Sequence, residues 1–292
     1  MRHNPVFGIL QRLLHSRLFL ESGLRIVLGV EYDGSAFCGW QSQPQSCGVQ
    51  DALEHALADV AAGRVATTSA GRTDAGVHAL GQVVHFDAAA LRPLSAWTRG
   101  VNALLPEAIT VTWARQVPDE FHARFCARGR RYIYWLLNRP QRAGLLHHRV
   151  GWFHQRLDIE LMRRAVTPLL GTHDFSAFRA AECQARTPVK ELRELRISRR
   201  GELIRFEFAA DAFLQHMVRN IVGSLVYIGS GRRPPEWLGE LLRSRDRTAA
   251  APTFSAAGLY LAAVDYDAAW ALPSQPDIDA SEAAMLAGAH AA

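Results

Sequence analysis

The sequence predicts an α+β fold built from two copies of one β-α-β-β-α-β unit, and three observations lead to this class. Apolar segments of strand length alternate along the chain with amphipathic segments of helix length. The order of these segments repeats once, and each copy has the ferredoxin-like split arrangement. With 292 residues, of which 49% are hydrophobic and 21% charged, the chain is long enough for two domains that each bury a core.

The first predicted domain covers residues 25–118. Its opening strand, residues 25–32, is a nearly continuous apolar run that Asp33-Gly34 ends. A helix follows at residues 49–62, where positions 49, 53, 56, 57 and 60 form one apolar face. The remaining elements are strands at 65–68 and 82–86 around a glycine-containing loop, a helix at 94–105 and a strand at 109–117.

The second predicted domain covers residues 119–267. Residues 130–137 alternate as a strand does, with Tyr132 and Tyr134 on one face. Residues 158–170 predict a helix with Asp158 as its N-cap and Gly171 as its end. The remaining elements are strands at 191–199 and 203–209, a long helix at 214–228, a short helix that Pro234-Pro235 opens and a strand at 258–266.

Residues 1–24 and 268–292 lie outside both predicted domains. Arg12, His15 and Arg17 interrupt the apolar clusters of the first segment, so a signal peptide is not expected. That segment suits an amphipathic helix, a disordered arm or a wrongly chosen upstream start codon. The last segment, rich in Pro, Asp, Ala and Ser, predicts disorder. No run of 18 apolar residues occurs, so no transmembrane helix is expected.

The charge of the chain favours a polyanionic partner. Net charge is +5, and 32 of the 33 basic residues are arginine, which codon bias explains as readily as a need for phosphate contacts. Between residues 115 and 149 there are eight arginines, two acidic residues and several aromatic residues. Arginine mixed with aromatic side chains suits binding to bases and phosphates. A solvated edge strand above core aromatics gives the same pattern, so both interpretations stay open.

The four cysteines, Cys38, Cys47, Cys126 and Cys183, are far apart in the sequence. None forms a C-x-x-C pair, which argues against a zinc ribbon or a redox dithiol. Free thiols are therefore expected, and they fit a reducing cytoplasm.

Residues 71–79, Gly-Arg-Thr-Asp-Ala-Gly-Val-His-Ala, form the most informative segment. Asp74 lies between two glycines, with Arg72 two residues before it and His78 four residues after it. Glycines suit a tight turn that projects a side chain, and loops at sheet ends often carry catalytic groups. An aspartate beside glycine is also a common turn residue that bonds its own backbone, so this local pattern has two interpretations.

The nine-residue segment resembles the signature loop of the tRNA pseudouridine synthase A (TruA) family. Further segments in the expected order extend the resemblance over residues 25–266. They are Glu31-Tyr32-Asp33-Gly34, Gly39-Trp40-Gln41, Arg130-Arg131-Tyr132, residues 173–178, Arg186-Thr187-Pro188, residues 216–220 and residues 258–261.

The resemblance implies two ferredoxin-like (RRM-like) units that share a central antiparallel sheet, with helices on one face and a catalytic cleft between the units. It implies an isomerase that converts uridine to pseudouridine at positions 38, 39 and 40 of the tRNA anticodon stem-loop, acting in the cytoplasm as a homodimer. The expected partners are the tRNA anticodon stem-loop and a second copy of the chain, without a membrane. The reaction detaches uracil from ribose, turns it and rejoins it through carbon, so no cofactor or metal is expected.

The resemblance also assigns the central roles. Asp74 is the implied catalytic residue, since an ionised carboxylate can act as a covalent catalyst. Three routes stay open: attack on uracil C6, attack on ribose C1′, or proton removal that forms a glycal. Arg219 is the implied ion-pair partner of Asp74. Tyr132 is implied to stack on the target base or to relay a proton, although its alternating strand also suits core packing.

Five further residues are expected to bind the substrate. Arg72 is expected either to fill the gap that a flipped base leaves in a stem or to contact a phosphate. Arg130 and Arg131 adjoin Tyr132 in the tyrosine motif. Leu259 and Leu261 are expected to pack against the site and keep it dry.

Two rival functions remain to be weighed. His78 and His85 could join Asp74 as ligands of a hydrolytic metal, but their spacing matches no standard site, and hydrogen-bonded structural roles are predicted instead. Activity in excess chelator would dismiss such a hydrolase. A catalytically silent RNA-binding protein is the other rival, and binding alone would not need the carboxylate of Asp74.

Overall fold

A computed structural model describes residues 24–273 and Asp279, and here the chain is an α+β protein organised around one ten-stranded sheet. The strands are β1 (Leu24–Tyr32), β2 (Thr68–Ser69), β3 (His78–Ala88), β4 (Ile109–Gln116), β5 (Ala127–Asn138), β6 (Gly151–Phe153), β7 (Gly171–Asp174), β8 (Val189–Arg200), β9 (Leu203–Ala210) and β10 (Leu259–Tyr266). The α-helices are α1 (Val49–Ala61), α2 (Ile159–Val166), α3 (Met217–Gly229) and α4 (Trp237–Ser244).

The strands lie in the order β4-β1-β3-β10-β5-β9-β8-β7, with β2 added to β3 and β6 added to β5. The β3–β10 and β5–β6 pairs are parallel, and the other pairs are antiparallel. In the β3–β10 pair, Tyr260 lies opposite His78 and Leu261 lies opposite Ala79. This pair joins the two halves of the chain into one sheet, immediately after the loop that carries Asp74.

Alternation along β5 divides the apolar side chains between the two faces of the sheet. Tyr134 and Leu136 belong to a large core that also contains the buried apolar side chains of all four helices. Trp135 and Leu137 belong to a smaller core on the opposite face. The helices therefore cover one face, and part of residues 139–150 packs against the other.

Helix α1 confirms the predicted helix at residues 49–62. Four of the five positions that formed its predicted apolar face, Val49, Leu53, Ala56 and Leu57, are buried. The carboxylate of Asp51 accepts a hydrogen bond from the N–H of Gly48 at 2.9 Å and so satisfies a backbone donor at the start of the helix.

Helix α3 begins at Met217 rather than at the predicted position 214. His216 has a φ of +63°, and this left-handed conformation cannot continue a right-handed helix toward the N-terminus. Of the 13 residues of the helix, all but Arg219 and Tyr227 are buried. Arg219 is therefore one of two residues of this mostly buried helix that remain partly exposed.

Several predicted boundaries differ from the structure. The helix predicted at residues 158–170 ends at Val166 and continues as a 3-10 turn, because Pro168 lacks an N–H and its ring disfavours the α-helical path. Only Thr68 of the strand predicted at 65–68 pairs with β3. The helix predicted at 94–105 contains a π-helical turn at Ala96–Gly100, and β6 and β7 were not predicted.

The ends of the described chain also differ from the predicted boundaries. Leu24, which was assigned to the N-terminal extension, is the first residue of β1. Ala268–Trp270, assigned to the disordered tail, is a 3-10 turn whose Trp270 ring lies edge-on to Phe121 at 5.2 Å. An aromatic contact of this kind holds the turn against the core. The interpretations of residues 1–23, and of 274–292 apart from Asp279, lie outside the described residues.

The expectation of four free thiols is wrong for one pair. Cys38 and Cys47 form a disulfide, with their Cα atoms 5.4 Å apart, whereas Cys126 and Cys183 are free. The backbone brings the pair together, since the N–H of Cys38 donates to the carbonyl of Cys47 at 2.9 Å. A spacing of nine residues gave no sign of this turn.

Across residues 24–273, none of the helices combines the length and the apolar character that a membrane span requires.

Candidate active site

Asp74 lies in a turn between β2 and β3. The N–H of Val77 donates to the carbonyl of Asp74 at 3.1 Å, which closes the turn. Gly76 occupies its third position with a φ of +76°, a conformation that a residue with a Cβ rarely adopts. The turn therefore projects the Asp74 side chain just before the chain enters β3.

Thr73 holds this loop in place through hydrogen bonds of its side chain and its backbone. Its hydroxyl shares a 2.8 Å hydrogen bond with the hydroxyl of Tyr32, and its carbonyl accepts from the N–H of Trp40 at 3.0 Å. Gly39 has a φ of +100°, and a Cβ there would lie 2.7 Å from the Thr73 carbonyl oxygen. The loop that contains Gly39 can approach the carbonyl only because this position lacks a side chain. The backbone beside Asp74 is thus fixed by two separate segments.

Two cationic or potentially cationic groups meet one oxygen of Asp74. Nη1 of Arg219 donates to Oδ2 of Asp74 at 3.2 Å, and Nε2 of His216 lies 3.5 Å from the same oxygen. Nε of Arg219 also donates to the carbonyl of Phe254 at 2.8 Å, which orients the guanidinium. Within the described chain, Oδ1 of Asp74 has no hydrogen-bond partner. The carboxylate is 24% exposed, so one of its oxygens is held and the other is available to a substrate.

Arg219 was predicted as a site residue, whereas His216 was not. His216 lies three residues before Arg219 and carries the unusual left-handed φ of +63°. A non-glycine residue in that region is uncommon and often marks a functional position. Its only signal in the sequence was its place in the 216–220 segment.

Tyr132 lies on the same side of the sheet as Tyr134 and is 8% exposed, so only a small part of it reaches solvent. Its ring stands edge-on to Phe213, with centroids 5.0 Å apart. Burial, with a smaller contribution from the nearby charge of Asp74, raises the pKa of Tyr132 above its usual range. The phenol therefore stays protonated at neutral pH and cannot act as a preformed anionic base.

Among the described residues, Arg72 pairs with Gln184 and not with the carboxylate of Asp74. Its side chain is exposed, and Nη1 donates to Oε1 of Gln184 at 3.1 Å. Gln184 belongs to the second half of the chain, so this bond connects the Asp74 loop to the opposite side of the site. Gln184 was not predicted as a site residue.

Arg130 supports the site through backbone contacts. Its Nη1 donates to the carbonyl of Asp211 at 3.0 Å, and its Nη2 donates to the carbonyls of Ala70 and Arg124 at 2.8 and 2.9 Å. These bonds use much of the donor capacity of the guanidinium. The geometry favours a role in holding the loops together over direct contact with a ligand.

Arg131 follows the alternation of β5 and lies on the face of the sheet opposite to Tyr132. Its Nε is 3.4 Å from Oδ1 of Asp265. The structure therefore does not bring Arg131 together with Asp74 and Arg219.

Leu259 and Leu261 are 5% and 0% exposed and belong to the larger core. In the β10–β5 pairing, Leu261 lies opposite Tyr132 and Leu259 opposite Tyr134, so their side chains share a face with these tyrosines. This position suits the predicted apolar wall beside Tyr132.

The two histidines of β3 have separate structural contacts. Nδ1 of His78 is 3.1 Å from both Oδ1 of Asp33 and the N–H of Gly34, and its Nε2 is 2.9 Å from the carbonyl of His148. Nδ1 of His85 accepts from the N–H of Ala123 at 3.1 Å. Seven residues of strand separate the two by roughly 23 Å, too far for a shared ion. Residues 24–273 contain no cluster of three or more His, Cys, Asp and Glu side chains suited to a metal.

A cavity of about 260 Å³ lies beside His78, lined in part by Tyr32, Asp33, Arg149 and Tyr260. The hydrogen bond from His78 holds the pKa of Asp33 well below its usual range. Asp74 is not among the lining residues, so its carboxylate is not enclosed by this cavity.

Comparisons with known proteins identify the family of the chain. The profile of a family described as tRNA pseudouridine synthase matches residues 29–126 and 165–267. A protein of Thiobacillus denitrificans named tRNA pseudouridine synthase A is 60% identical over 254 residues, which cover 87% of this chain and 98% of that protein. Proteins with the same name from Chromobacterium violaceum and Nitrosomonas eutropha are 58% and 57% identical, each over 86% of this chain and over 97% and 91% of their own lengths.

Proposed function

The chain belongs to the tRNA pseudouridine synthase family, and we propose that it converts uridines 38, 39 and 40 of the tRNA anticodon stem-loop to pseudouridine with Asp74 as the nucleophile. The family membership makes the chain an isomerase that acts on uridine in tRNA. The positions and the residue roles are the part that we propose.

The observation that supports Asp74 most is the difference between its two oxygens. Arg219 and His216 meet Oδ2, while Oδ1 has no partner among the described residues. A nucleophilic carboxylate needs a group that holds it in place and an oxygen that is free to attack. The Asp74 side chain is 24% exposed, so a base turned out of an RNA helix could reach it.

The proposed reaction conserves every atom of the nucleotide. One carboxylate oxygen adds to uracil C6 or to ribose C1′, or the carboxylate removes a ribose proton on the way to a glycal. Before the product leaves, the carbon–oxygen bond to Asp74 breaks again or the proton returns to the ribose, so that the free carboxylate is restored. The bond between N1 and C1′ breaks, the uracil turns, and a bond forms between C5 and C1′. The proton on C5 leaves to solvent, and N1 gains a proton. The ring must therefore stay bound during the turn, which is the task that we assign to the residues around Asp74.

Tyr132, which is 8% exposed, is proposed to stack on the target uracil or to relay a proton. Its ring is positioned by Phe213 and by the leucines of β10. Because its hydroxyl stays protonated, any proton relay through it would begin from the neutral phenol. Leu259 and Leu261 are proposed to exclude water from that side.

Arg72 is proposed to occupy the gap that the target base leaves in a stem. It is exposed and extends from the catalytic loop toward Gln184, so it can exchange a protein contact for an RNA contact. Arg130 is proposed to act on the substrate indirectly, through the two loops whose carbonyls it binds. Arg131 lies on the other face of the sheet. It is therefore proposed to contact only an RNA phosphate that reaches that face.

We propose that the two halves of the chain are ferredoxin-like units with their boundary between residues 118 and 119. The strand orders β4-β1-β3-β2 and β10-β5-β9-β8 support this division, since each reproduces the order of a four-stranded ferredoxin-like sheet. The candidate site lies where the two units meet, because Asp74 comes from the first and Arg219 from the second.

A homodimer in the cytoplasm is proposed from the family alone. In a reducing compartment Cys38 and Cys47 would be thiols. Hydrogen bonds from Cys38 to Cys47 and from Trp40 to Thr73 would still hold the segment behind the catalytic loop. Sedimentation analysis at micromolar concentration tests the dimer, which predicts twice the mass of the chain.

The proposed positions can be tested with unmodified tRNA transcripts that carry uracil tritiated at C5. Each transcript has its labelled uridine at position 38, 39 or 40, and a matched control has it elsewhere in the same stem-loop. We expect tritium release from the first three and none from the control. Equal release from the control would refute the assigned positions while leaving the isomerase activity intact.

A further inference from the structure

Phe125 lies on the loop of residues 117–126 that connects β4 to β5. Its side chain is 76% exposed, whereas the other large apolar residues of this loop, Val117 and Phe121, are buried. A single exposed apolar residue is ordinary on a protein surface and carries no inference by itself. The surroundings of this ring are what distinguish it.

His122 holds the backbone beneath the ring of Phe125. Its Nδ1 accepts hydrogen bonds from the N–H groups of Arg124 and Phe125 at 3.2 and 3.3 Å. Its carbonyl accepts from the N–H of Cys126 at 2.9 Å. Burial lowers the pKa of His122, so at neutral pH the imidazole is uncharged and Nδ1 keeps the lone pair that these bonds need.

Two further bonds fix the loop to the sheet. The N–H of Ala123 donates to Nδ1 of His85 at 3.1 Å, and the carbonyl of Ala123 accepts from the hydroxyl of Tyr266 at 2.6 Å. The exposed ring therefore stands on a preorganised backbone, which lowers the entropic cost of binding a ligand there.

The ring of Phe125 is presented face-on. It stacks on the imidazole of His122, with centroids 4.2 Å apart and planes 29° apart. Stacking on His122 covers part of the phenyl ring, yet 76% of the residue remains exposed. The guanidinium carbon of Arg124 lies 5.8 Å from the ring centroid. The cation thus lies over the ring at the distance of a cation–π contact, so a flat apolar surface and a positive charge occur together.

This surface adjoins the catalytic loop. Nη2 of Arg130 bonds the carbonyl of Arg124 on one side and the carbonyl of Ala70 on the other. Ala70 lies four residues before Asp74 in the same loop. One guanidinium therefore fixes the position of the exposed ring relative to the loop that carries the reacting carboxylate.

We infer that Phe125 is a stacking platform for an unpaired nucleobase of the tRNA next to the target uridine, with Arg124 binding the adjoining phosphate. This inference rests on the proposed function, because it assumes that tRNA occupies the site at Asp74. Base–aromatic stacking beside arginine is the usual way in which proteins hold unpaired nucleotides. Phe125 is thereby a residue that positions the substrate rather than one that reacts.

The composition of the loop favours RNA over a protein partner at this surface. A protein interface buries a contiguous apolar patch, whereas the single exposed ring here is flanked by Arg124 and followed three residues later by Arg128, which is also exposed. A nucleobase needs only one ring face and one cation. The area of the exposed ring and the neighbouring positive charge both match a nucleotide better than a protein partner.

Steady-state tritium release from tRNA labelled at uracil C5 tests the inference with four variants. Phe125→Ala removes the ring, Phe125→Leu keeps apolar area without a flat face, and Phe125→Trp enlarges the face. Leu145→Ala is the matched control, since Leu145 is 64% exposed and belongs to the segment associated with the opposite face of the sheet.

We expect the KM of Phe125→Ala and Phe125→Leu to rise about 5- to 100-fold, with a smaller effect on kcat, and the KM of Phe125→Trp to equal or improve on that of the wild type. Leu145→Ala should match the wild type. An unchanged KM in Phe125→Ala, or full activity in Phe125→Leu, would overturn the stacking role. A wild-type protein that releases no tritium would instead refute the proposed function.

A second measurement identifies the stacked nucleotide. Transcripts that lack one base at a time near the target are bound to the wild type and to Phe125→Ala. One abasic position should weaken binding to the wild type and leave binding to Phe125→Ala nearly unaffected, because the partner of that base is already missing. Equal losses in both proteins at every position would contradict the inference.

Discussion

Arg219 donates hydrogen bonds to Asp74 and Phe254 at the same time. Its Nη1 donates to Oδ2 of Asp74 at 3.2 Å, and its Nε donates to the carbonyl of Phe254 at 2.8 Å. The bond to Phe254 orients the guanidinium and so fixes the direction of the bond to Asp74. A guanidinium held in this way can keep one carboxylate oxygen in place while the other reacts. The relationship explains why the position needs the branched geometry of arginine and not merely a positive charge.

Replacement of Arg219 by alanine is expected to lower kcat/KM by about 100-fold or more, because the reacting carboxylate loses the cation that orients it. Arg219→Lys should recover only part of this loss, since an ammonium group cannot bond Asp74 and Phe254 in the same geometry. Tritium release under single-turnover conditions measures both variants.

The fold of both Arg219 variants should survive. Arg219 is one of two residues of α3 outside its buried set, and the Asp74 side chain keeps 24% of its surface in solvent, so neither variant disrupts the apolar packing of the helix. Thermal melts serve as the control. Near-normal turnover in a folded Arg219→Ala protein would refute the pairing as a functional element.

Tyr132 offers a variant that separates stacking from proton transfer. Tyr132→Phe keeps the ring against Phe213, so its affinity for tRNA should stay within about twofold of the wild type, whereas Tyr132→Ala should lose about 1 to 3 kcal/mol of binding free energy. Fluorescence anisotropy measures the affinities. If Tyr132→Phe and Tyr132→Ala weaken tRNA binding equally, the ring does not stack on the substrate. Retained turnover in Tyr132→Phe would eliminate the hydroxyl as an essential acid or base.

Arg72→Ala should affect paired and looped uridines differently. Filling the gap left in a stem offsets part of the cost of base flipping, so the loss of kcat/KM should be about tenfold greater for a uridine in the stem than for one in the loop. Gln184→Ala is the control, since it removes the partner of Arg72 without removing the guanidinium. Equal losses at both kinds of position would argue for a phosphate contact instead.

The stability of the protein should depend on pH through His85. Burial lowers the pKa of His85 to about 4, whereas a histidine in the unfolded chain titrates near pH 6.5. Between these values the unfolded chain binds more protons than the folded one, so the free energy of unfolding falls as pH drops from 6.5 toward 4.

His85→Asn tests this dependence, because the amide oxygen of asparagine can still accept the N–H of Ala123 but does not titrate in this range. Urea unfolding between pH 4.5 and 7.5 should show a shallower slope in the variant. Some slope will remain, since burial also lowers the pKa of His122. An unchanged slope would show that His85 is not the titrating group.

Most of the secondary structure could be predicted from periodicity, and the misses have local causes. The apolar face of α1 and the alternation of β5 follow directly from spacing, because a single period governs each element. The start of α3 could not be predicted, since the left-handed φ of His216 depends on its contacts and not on its residue type. The short strands β6 and β7 are too brief to show a period.

The site was predictable to the extent that its residues lie in distinctive segments. The resemblance pointed to Asp74 and Arg219, which the fold brings together from 145 positions apart. His216 and Gln184 were missed because their roles arise only when the two halves of the chain meet. Arg131 differs from Tyr132 in position, since neighbouring residues of a strand place their side chains on opposite faces of the sheet.

The central claim, that Asp74 is the reacting carboxylate, is tested most directly by Asp74→Asn with tRNA tritiated at uracil C5. Asparagine keeps the size of the side chain and its contact with Arg219 but loses the nucleophilic charge. Under single-turnover conditions the wild type should release tritium, and the variant should bind the tRNA and release none above background. Release by a folded Asp74→Asn protein at a rate near that of the wild type would contradict the account.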